Sequence, residues 1–290
     1  MTGSGSGSVT VDAPAKVNLY LHVVGRRADG YHLLDTLMVF MELADQVTVS
    51  PADSLILEAD GPFAGHLPQN IDDNLVIRAA HSLAAAAGVQ SGAHIKLTKN
   101  LPVSAGLGSG SSDAAATFKA LVQLWQVPEG SVDLAEIGLM LGADIPGCIH
   151  ARSAFIGGVG EQIEDTPPLP AADILLINPG VQLATKSVFG ARQGGFSPEA
   201  KFTKAPADVR ALAALLEDRE NDLTDAAMRL SPVVRDVLDA IEGEPGCRLA
   251  RMSGSGATCF GLFDDRETAE RAAEELHRAD WWCAVTRIRG

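Results

Sequence analysis

The stretch Leu101-Pro-Val-Ser-Ala-Gly-Leu-Gly-Ser-Gly-Ser-Ser-Asp113 decides how the rest of this sequence is interpreted. An alternating apolar segment at 93–99 precedes it and predicts a strand. A segment with apolar residues at helical spacing follows it, at Phe118, Leu121, Val122 and Trp125. A glycine-rich turn between a strand and a helix lets backbone N–H groups and the positive helix end approach an anion closely. The pattern therefore predicts a phosphate-binding loop over Pro102–Ser112.

Two widespread phosphate motifs do not fit this loop. A P-loop ends in Gly-Lys followed by Ser or Thr, and the stretch contains no lysine. The dinucleotide fingerprint needs a third glycine, but Ser111 stands three positions after Gly108. A plain Gly/Ser-rich connector is the alternative. We favour the phosphate loop because a connector rarely opens directly into so regular a helix.

Composition limits the classes of partner. The 290 residues are 46% hydrophobic and 21% charged, which is typical of a soluble globular protein with a full core. The net charge of −14 argues against nucleic acid and anionic membranes. No apolar run is long enough to span a bilayer, and residues 1–8 predict a flexible lead-in without signal-peptide features. We expect a cytoplasmic protein that is a monomer or a weak homodimer.

The cysteines carry no metal or disulfide signature. Cys148, Cys247, Cys259 and Cys283 form no C-x-x-C pair and each lies in an apolar stretch. The residues therefore predict four buried thiols, as suits a reducing compartment.

Periodicity and turn residues outline the organisation of the chain. Alternation over Val9–Val24 predicts a strand with one polar face, which carries Lys16, Asn18, Tyr20 and His22. Helices are predicted over Asp72–Ala87, capped by Asp72 or Asp73 and stopped by Gly88, and from a Ser131 cap to Gly142. The proline-rich segment 166–172 predicts a boundary between an N-terminal domain, 1–165, and a C-terminal α+β domain, 166–290.

The loop resembles the ATP-binding signature of the GHMP kinases, with Ser109 where many members have glycine. Ala13–Leu19 resembles the first motif of that family, and Met252–Gly261 resembles its glycine-rich third motif. Three motifs in this order are far more specific than one. The resemblance implies an α+β fold of two domains with the active site in the cleft between them, and ATP and Mg²⁺ as cofactors.

Further segments narrow the resemblance to members whose substrate is a cytidine diphosphate-linked methylerythritol, phosphorylated on its tertiary 2-hydroxyl in the non-mevalonate route to isoprenoid precursors. These segments are Gly25–Leu34, Asp73–Leu75, Gly142–Pro146, Pro179–Phe189 and Asn221–Leu223. The first half of Ala151–Glu161 matches poorly, and Arg192–Pro206 has no usable match.

The resemblance also assigns roles. Asp144 is implied to be the general base that accepts the hydroxyl proton. Lys16 is implied to pair with it and to stabilise charge in the transition state. Asn18, on the same strand face, either fixes the same hydroxyl or makes a structural hydrogen bond. ATP is implied to contact the whole loop, that is Pro102, Val103, Ser104, Ala105, Gly106, Leu107, Gly108, Ser109, Gly110, Ser111 and Ser112.

The nucleoside end of the substrate is assigned in the same way. Tyr31 and His32 are implied to bind cytosine, with Phe189 stacking on the opposite ring face, and core packing is the alternative for Tyr31 and Phe189. For His32 the alternative is a structural histidine. Further substrate contacts are implied for Thr185, Gly254 and Gly256, and a tight turn is the alternative for the two glycines.

No firm metal ligand emerges. Mg²⁺ binds largely through nucleotide phosphates and water. Ser111, Ser112 and Asp113 are the nearest candidates, and Asp113 has the alternative role of a charge in the first turn of a helix.

Two rival functions stay open. The first is a GHMP kinase for homoserine, mevalonate or a sugar, against which the Tyr31-His32 segment argues because those substrates carry no base. The second is a nucleotide-binding protein without activity, against which the presence of both Lys16 and Asp144 argues.

Overall fold

The structure is a computed structural model that describes residues 7–289, so residues 1–6 of the predicted lead-in lie outside it. Helices and strands alternate irregularly along the chain, which confirms the α+β class. The strands are β1 (Val9–Arg26), β2 (His32–Ala52), β3 (Leu55–Asp60), β4 (Gly92–Thr98), β5 (Ala154–Gly158), β6 (Gln162–Asp165), β7 (Asp173–Asn178), β8 (Cys247–Met252), β9 (Cys259–Phe263) and β10 (Trp282–Arg287).

The α-helices are α1 (Leu75–Ala87), α2 (Ser109–Leu124), α3 (Leu134–Leu141), α4 (Ile145–His150), α5 (Thr185–Ala191), α6 (Val209–Glu217), α7 (Thr224–Leu230), α8 (Val233–Glu242) and α9 (Arg266–Glu275). Short 3₁₀ helices lie at Ala64–His66 and Ile71–Asp73. Across residues 7–289, no helix combines the length and apolarity needed to cross a membrane.

The chain forms two compact units, each assembled from three stretches. Among the residues that the structure describes, the first unit contains 7–15, Ala44–Val103 and Ser109–His150. The second contains Lys16–Leu43, Ser104–Gly108 and 151–289. These units do not coincide with the ranges 1–165 and 166–290, and the division of the sequence into two domains at that point stays a prediction.

The first unit packs helices against a short sheet. The C-terminal half of β2 pairs antiparallel with β4, with Gln46 opposite Thr98, and β4 pairs parallel with β3. Alternation in β4 directs Ala93, Ile95 and Leu97 into the core. Helix α1 adds Val76, Ala80 and Leu83 at helical spacing, and α2 adds Phe118 and Leu121. The helix that opens at the predicted phosphate loop is therefore held by a continuous apolar core.

The second unit is built on an antiparallel sheet in the order β10-β7-β9-β8. All six residues of β7 are buried, and α8 contributes Val234, Val237 and Ile241 to the same core. Leu21 and Val23 of β1 belong to this core although they lie far away in sequence. In the same unit the N-terminal half of β2 pairs with β5, and β5 pairs with β6.

Helix starts differ from the sequence predictions in three places. Asn74, not Asp72 or Asp73, caps α1: its Oδ1 accepts from the N–H of Val76 at 2.9 Å, and the two aspartates lie in the preceding 3₁₀ helix. Asp133, not Ser131, caps α3 by accepting from the N–H of Glu136. Helix α2 begins at Ser109, so the last four residues of the predicted loop are already helical. The predicted stop at Gly88 is confirmed, with φ of 66°.

The four cysteines are free thiols, two of them buried and two partly exposed. Burial raises the pKa of Cys247 to about 11, so this thiol is protonated at neutral pH. The prediction of four buried thiols is therefore correct for Cys148 and Cys259 and too strong for Cys247 and Cys283.

Candidate functional site

Strand β1 holds Lys16 and Asn18 in a buried hydrogen-bond chain. The two residues share one face of the strand, and Lys16 Nζ donates to Asn18 Oδ1 at 2.7 Å. Asn18 Nδ2 donates to Thr36 Oγ1 at 2.9 Å, and Thr36 Oγ1 in turn donates to the carbonyl of Tyr20. Lys16 is 4% exposed and Asn18 2% exposed. The chain fixes the Asn18 amide with its oxygen towards the ammonium group, so the structural hydrogen bond predicted as one alternative for Asn18 is present.

The glycine loop lies directly against Lys16. The backbone N–H of Lys16 donates to the carbonyl of Leu107 at 2.9 Å. Gly108 has φ of +59°, and a Cβ on it would lie 2.6 Å from the Cε and Cγ atoms of the Lys16 side chain. A side chain at position 108 would therefore displace Lys16, and the backbone conformation also favours glycine.

The glycine-rich segment after β8 closes onto the same residues. Ser253 Oγ donates to the carbonyl of Gly106 at 3.0 Å and accepts from the N–H of Asn18 at 3.2 Å. A Cβ on Gly254 would lie 3.3 Å from both Lys16 Nζ and Asn18 Oδ1. Three sequence motifs far apart in the chain thus meet around one ammonium group, and the residues that make these contacts all belong to the second unit.

Gly256 has a more local role in this geometry. Its N–H donates to the carbonyl of Ser253 at 2.9 Å, which closes a tight turn. A Cβ on it would lie 2.6 Å from the sulfur of Met252. The tight-turn alternative is therefore present for Gly256, whereas Gly254 belongs to the same turn and also faces Lys16.

Two of the residues predicted to bind a base contact each other. The His32 ring at the start of β2 stacks on Phe189 of α5, with centroids 5.0 Å apart and planes inclined by 25°. Insertion of a base between them would need a separation of about 7 Å, twice the contact distance of carbon atoms, so a base must approach this pair from outside or separate it. Tyr31 is 65% exposed, which excludes the core-packing alternative for it. Phe189 is partly exposed at the edge of the second core.

The surroundings of His32 favour the neutral form of its imidazole. Partial burial, then the charges of Arg26 and Arg192, lower its pKa below the ordinary value of 6.5. A neutral imidazole carries one donor and one acceptor nitrogen. Such a group can read the edge of a base that presents both an amino group and a carbonyl.

Thr185 connects the two parts of the site in the second unit. It is the first residue of α5, the helix that carries Phe189. Its hydroxyl lies 3.0 Å from the hydroxyl of Ser255 in the glycine-rich turn. The residues that the sequence assigned to substrate are therefore linked through α5 and this turn.

The polar face of β1 continues beyond Asn18 and holds a segment that sequence reasoning could not match. Tyr20 Oη donates to the carboxylate of Asp35, which also accepts from the N–H of Ala200 at 2.6 Å. Burial, then the Asp35 charge, raises the pKa of the Tyr20 phenol. His22 Nδ1 donates to the carbonyl of Pro198, and its Nε2 accepts from the N–H of Glu220. The middle of the unmatched range 192–206 is thereby fixed to the strand that carries Lys16.

Two serine hydroxyl groups in the first turns of α2 donate hydrogen bonds to backbone carbonyls. Ser109 Oγ donates to the carbonyl of Pro102 at 3.0 Å, and Ser112 Oγ donates to that of Pro14 at 2.6 Å. Both serines are buried, whereas Ser111 is partly exposed. Of the hydroxyl groups of Ser109, Ser111 and Ser112, that of Ser111 is therefore the most accessible.

Asp113 and Asp144 have different environments in the first unit. Asp113 is 2% exposed and bonded to Lys99, a residue that the sequence analysis did not single out. Lys99 extends the inward register of Ala93, Ile95 and Leu97, and this signal could have identified it. Asp144 is half-buried just before α4, and its carbonyl accepts from the N–H of Cys148. Its pairing with Lys16 stays a prediction.

Comparison with known proteins gives a consistent result. The family model "GHMP kinases N terminal domain" matches residues 74–152, and "GHMP kinases C terminal" matches 203–281. The chain is 48% identical to the 4-diphosphocytidyl-2-C-methyl-D-erythritol kinase of Paramagnetospirillum magneticum, over 97% of this chain and 99% of that relative. It is 46% identical to the protein of that name from Rhodospirillum rubrum, over 98% and 93%.

Solved structures agree with these relatives. The crystal structure of a 4-(cytidine 5'-diphospho)-2C-methyl-D-erythritol kinase superposes with a TM-score of 0.76 at 36% identity, covering 97% of this chain and all of that one. A homoserine kinase from Cytophaga hutchinsonii has a TM-score of 0.74 at 19% identity, covering 100% of this chain and 96% of that one. At that identity the second likeness concerns the fold alone.

Proposed function

Because the chain belongs to the GHMP kinase family, in the group of the 4-diphosphocytidyl-2-C-methyl-D-erythritol kinases, we propose that it transfers the γ-phosphoryl group of ATP to the 2-hydroxyl of this cytidine diphosphate-linked alcohol. In this role it supplies a phosphorylated intermediate of the non-mevalonate route to isoprenoid precursors. We also propose the cytoplasm as its compartment.

One observation carries the proposal. Lys16 Nζ lies between Asn18 Oδ1, at 2.7 Å, and Gly254, whose added Cβ would approach it to 3.3 Å, while Gly108 packs on the lysine methylenes. Glycines on two sides let two backbone turns approach this fixed positive charge closely. Such a charge stabilises the phosphoryl group as negative charge spreads over its oxygens during transfer.

We assign the steps of the reaction as follows. The backbone N–H groups of Val103–Ser112, which include the start of α2, hold the phosphates of ATP. Asp144 aligns the substrate hydroxyl and accepts its proton, and Lys16 orients the same oxygen. Because phosphoryl transfer is commonly loose, alignment of the attacking oxygen contributes more than early removal of its proton.

The cytidine end is assigned to Tyr31, His32 and Phe189. The neutral His32 supplies a donor and an acceptor for the edge of cytosine, and exposed Tyr31 supplies a flat surface for its ring. Thr185 begins α5 and contacts Ser255 in the turn at Gly254–Gly256, and this pair of segments fits a diphosphate that connects cytidine to the reacting alcohol. This arrangement favours a nucleotide-linked alcohol over homoserine, mevalonate or a sugar.

Mg²⁺ is expected to bind together with ATP. The residues near the loop fit an ion that is held mainly by the nucleotide phosphates. Asp113 is buried against Lys99, and Ser112 is buried against Pro14. Ser111 is the candidate that retains partial exposure. Within residues 7–289, His, Cys, Asp and Glu side chains form no group of three that could hold a metal ion. When bound through the phosphates, Mg²⁺ neutralises their charge.

The test is product detection by mass spectrometry. The purified protein is incubated with ATP, Mg²⁺ and CDP-methylerythritol, and in parallel with homoserine, mevalonate and galactose. We expect a phosphorylated product from CDP-methylerythritol alone, and competition by CDP. Turnover of another alcohol without turnover of CDP-methylerythritol would select a different GHMP activity. ATP binding without any product would favour a non-catalytic nucleotide-binding protein.

A further inference from the structure

Three buried charged residues, Asp45, Lys99 and Asp113, form a cluster that we call the loop clamp. Lys99 Nζ donates to Asp113 Oδ2 at 2.6 Å and also to Asp45 Oδ2. The side chains are 1% exposed for Lys99, 0% for Asp45 and 2% for Asp113. All three belong to the first unit. None of them has a role in the phosphoryl transfer proposed above.

The cluster connects the residues on both sides of the glycine loop. Asp45 Oδ1 accepts from the N–H groups of Asn100 and Leu101, at 2.5 and 2.8 Å, immediately before Pro102. Asp113 follows Ser112 and lies in the first turns of α2. Lys99 bonds to both carboxylates, so one ammonium group ties the entry of the loop to its exit.

A cluster of buried charges such as the loop clamp is an unfavourable way to stabilise a fold. One cation faces two carboxylates in a dry environment, and Asp113 Oδ1 has no hydrogen-bond partner there. Replacement of buried ions by apolar side chains of similar volume is often neutral or stabilising. A role in fixing geometry accounts for such a cluster better than a gain in stability does.

We propose that the loop clamp is a positioning device for ATP: it sets the spacing between the two ends of the Pro102–Ser112 loop and thereby orders the backbone N–H groups for the phosphates. The inference rests on the proposed function, because it assumes that this loop binds ATP. An ordered loop loses less conformational freedom on binding. Loss of the clamp therefore weakens the binding of ATP. Binding of the cytidine ligand stays unaffected, because its proposed residues lie in the second unit.

The experiment measures the Kd of ATP and of CDP separately by calorimetry on the full chain. Asp113→Ala removes the exit side of the clamp and leaves Lys99 paired with Asp45. We expect the Kd of ATP to rise about tenfold, since the loop must now be ordered on binding. The Kd of CDP is expected to stay within about twofold of the parent. Asp113→Asn keeps an acceptor for Lys99, so its Kd for ATP is expected to be close to that of the parent.

The matched control is Asp60→Ala. Asp60 Oδ2 bonds Lys96, three residues before Lys99, at 2.9 Å, and its Oδ1 is also buried without a partner. Asp60 contacts the clamp only through its backbone carbonyl, which accepts from the N–H of Lys99 at 2.7 Å, and Asp60→Ala keeps that bond, so both Kd values should match the parent. Asp45→Asn is the second variant should Asp113→Ala fail to fold, because one amide oxygen cannot replace the two carboxylate oxygens that together accept from Lys99, Asn100 and Leu101.

The outcomes separate the two hypotheses. A folded Asp113→Ala or Asp45→Asn protein that binds ATP like the parent would overturn the loop clamp alone. Equal weakening of ATP and CDP would also overturn it, since that pattern indicates general damage to the fold. A parent protein that binds no ATP would refute the proposed function, and the clamp with it.

Discussion

At the scale of single residues, the environment of Lys16 depends on one hydroxyl group that does not touch it. Thr36 Oγ1 accepts from Asn18 Nδ2 and donates to the carbonyl of Tyr20, which holds the Asn18 oxygen towards Lys16. Thr36→Val keeps the shape and removes both bonds. An unsatisfied buried donor costs about 1–3 kcal/mol, and we expect kcat to fall about tenfold with a small change in the KM of the alcohol.

Thr36→Ser is the control for this prediction, because it retains the hydroxyl and loses only the methyl group. Steady-state kinetics at saturating ATP separates kcat from KM. Parent-like kcat in Thr36→Val, or equal losses in the valine and serine variants, would show that the hydroxyl does not position Lys16.

Asp144 provides the direct test of the proposed base. Asp144→Asn preserves the size of the side chain before α4 and removes its ability to accept a proton. We expect kcat to fall by about 10²–10⁴, the usual contribution of a positioned acid–base group, while the Kd of ATP stays near that of the parent. Turnover at the parent rate, measured by coupled ADP release, would contradict the role.

Asp113 should make stability depend on pH in an unusual direction. Burial is the largest influence and raises its pKa from 3.8 to about 7, although the adjacent Lys99 acts in the opposite sense. Between these values the folded state binds a proton that the unfolded chain has released. Stability from this group is therefore complete below pH 4 and is lost as the pH rises through 7.

Asp113→Asn removes this dependence, since an amide does not titrate. Relative to the parent, the variant should gain free energy of unfolding from pH 4 to pH 8, by an amount on the order of 4 kcal/mol. Urea unfolding across this range measures it. Asp60 is the control: hydrogen bonds from Thr98 and then Lys96 lower its pKa, so the difference for Asp60→Asn should change in the opposite direction.

At the scale of helices and strands, local patterns predicted what short-range physics determines. Alternation located β1 and β4, and helical spacing located α1 and α2. No alternation marks the start of β2, because Asp35–Met41 is buried on both faces. The meeting of Ser253 with Gly106 spans 147 residues, and no local pattern encodes it. The motifs thus predicted which segments meet around Lys16, whereas Thr36 and Asp45 carry no sequence signal and were found only in the structure.

Helix α1 offers a clear test of local prediction against structure. Asn74 Oδ1 accepts from the N–H of Val76, whereas Asp72 lies in the preceding 3₁₀ helix. Asn74→Ala should lower the free energy of unfolding by about 0.5–2 kcal/mol, the usual cost of a lost N-cap. Asp72→Ala is the control and should change it by less than about 0.5 kcal/mol. Urea unfolding that ranks the two variants in the reverse order would restore Asp72 as the cap.

At the scale of the whole molecule, neither compact unit is a continuous piece of chain. The second unit takes Lys16–Leu43 and Ser104–Gly108 from the N-terminal half of the sequence. Leu21 and Val23 lie in its core, and the N–H of Val23 donates to Asp222 Oδ2 at 2.7 Å. The fragment 166–290 lacks all of these contacts, although its own sheet β10-β7-β9-β8 is complete.

We therefore expect the isolated fragment 166–290 to lack cooperative unfolding, since the core around Leu21 and Val23 is left open to water. Coexpression with the fragment 1–165 supplies the missing strands and should restore a cooperative transition. Thermal unfolding followed by circular dichroism, with the intact chain as reference, measures both cases. A sharp transition in the lone fragment would instead show that the boundary predicted at residues 165 and 166 separates two independently folding domains.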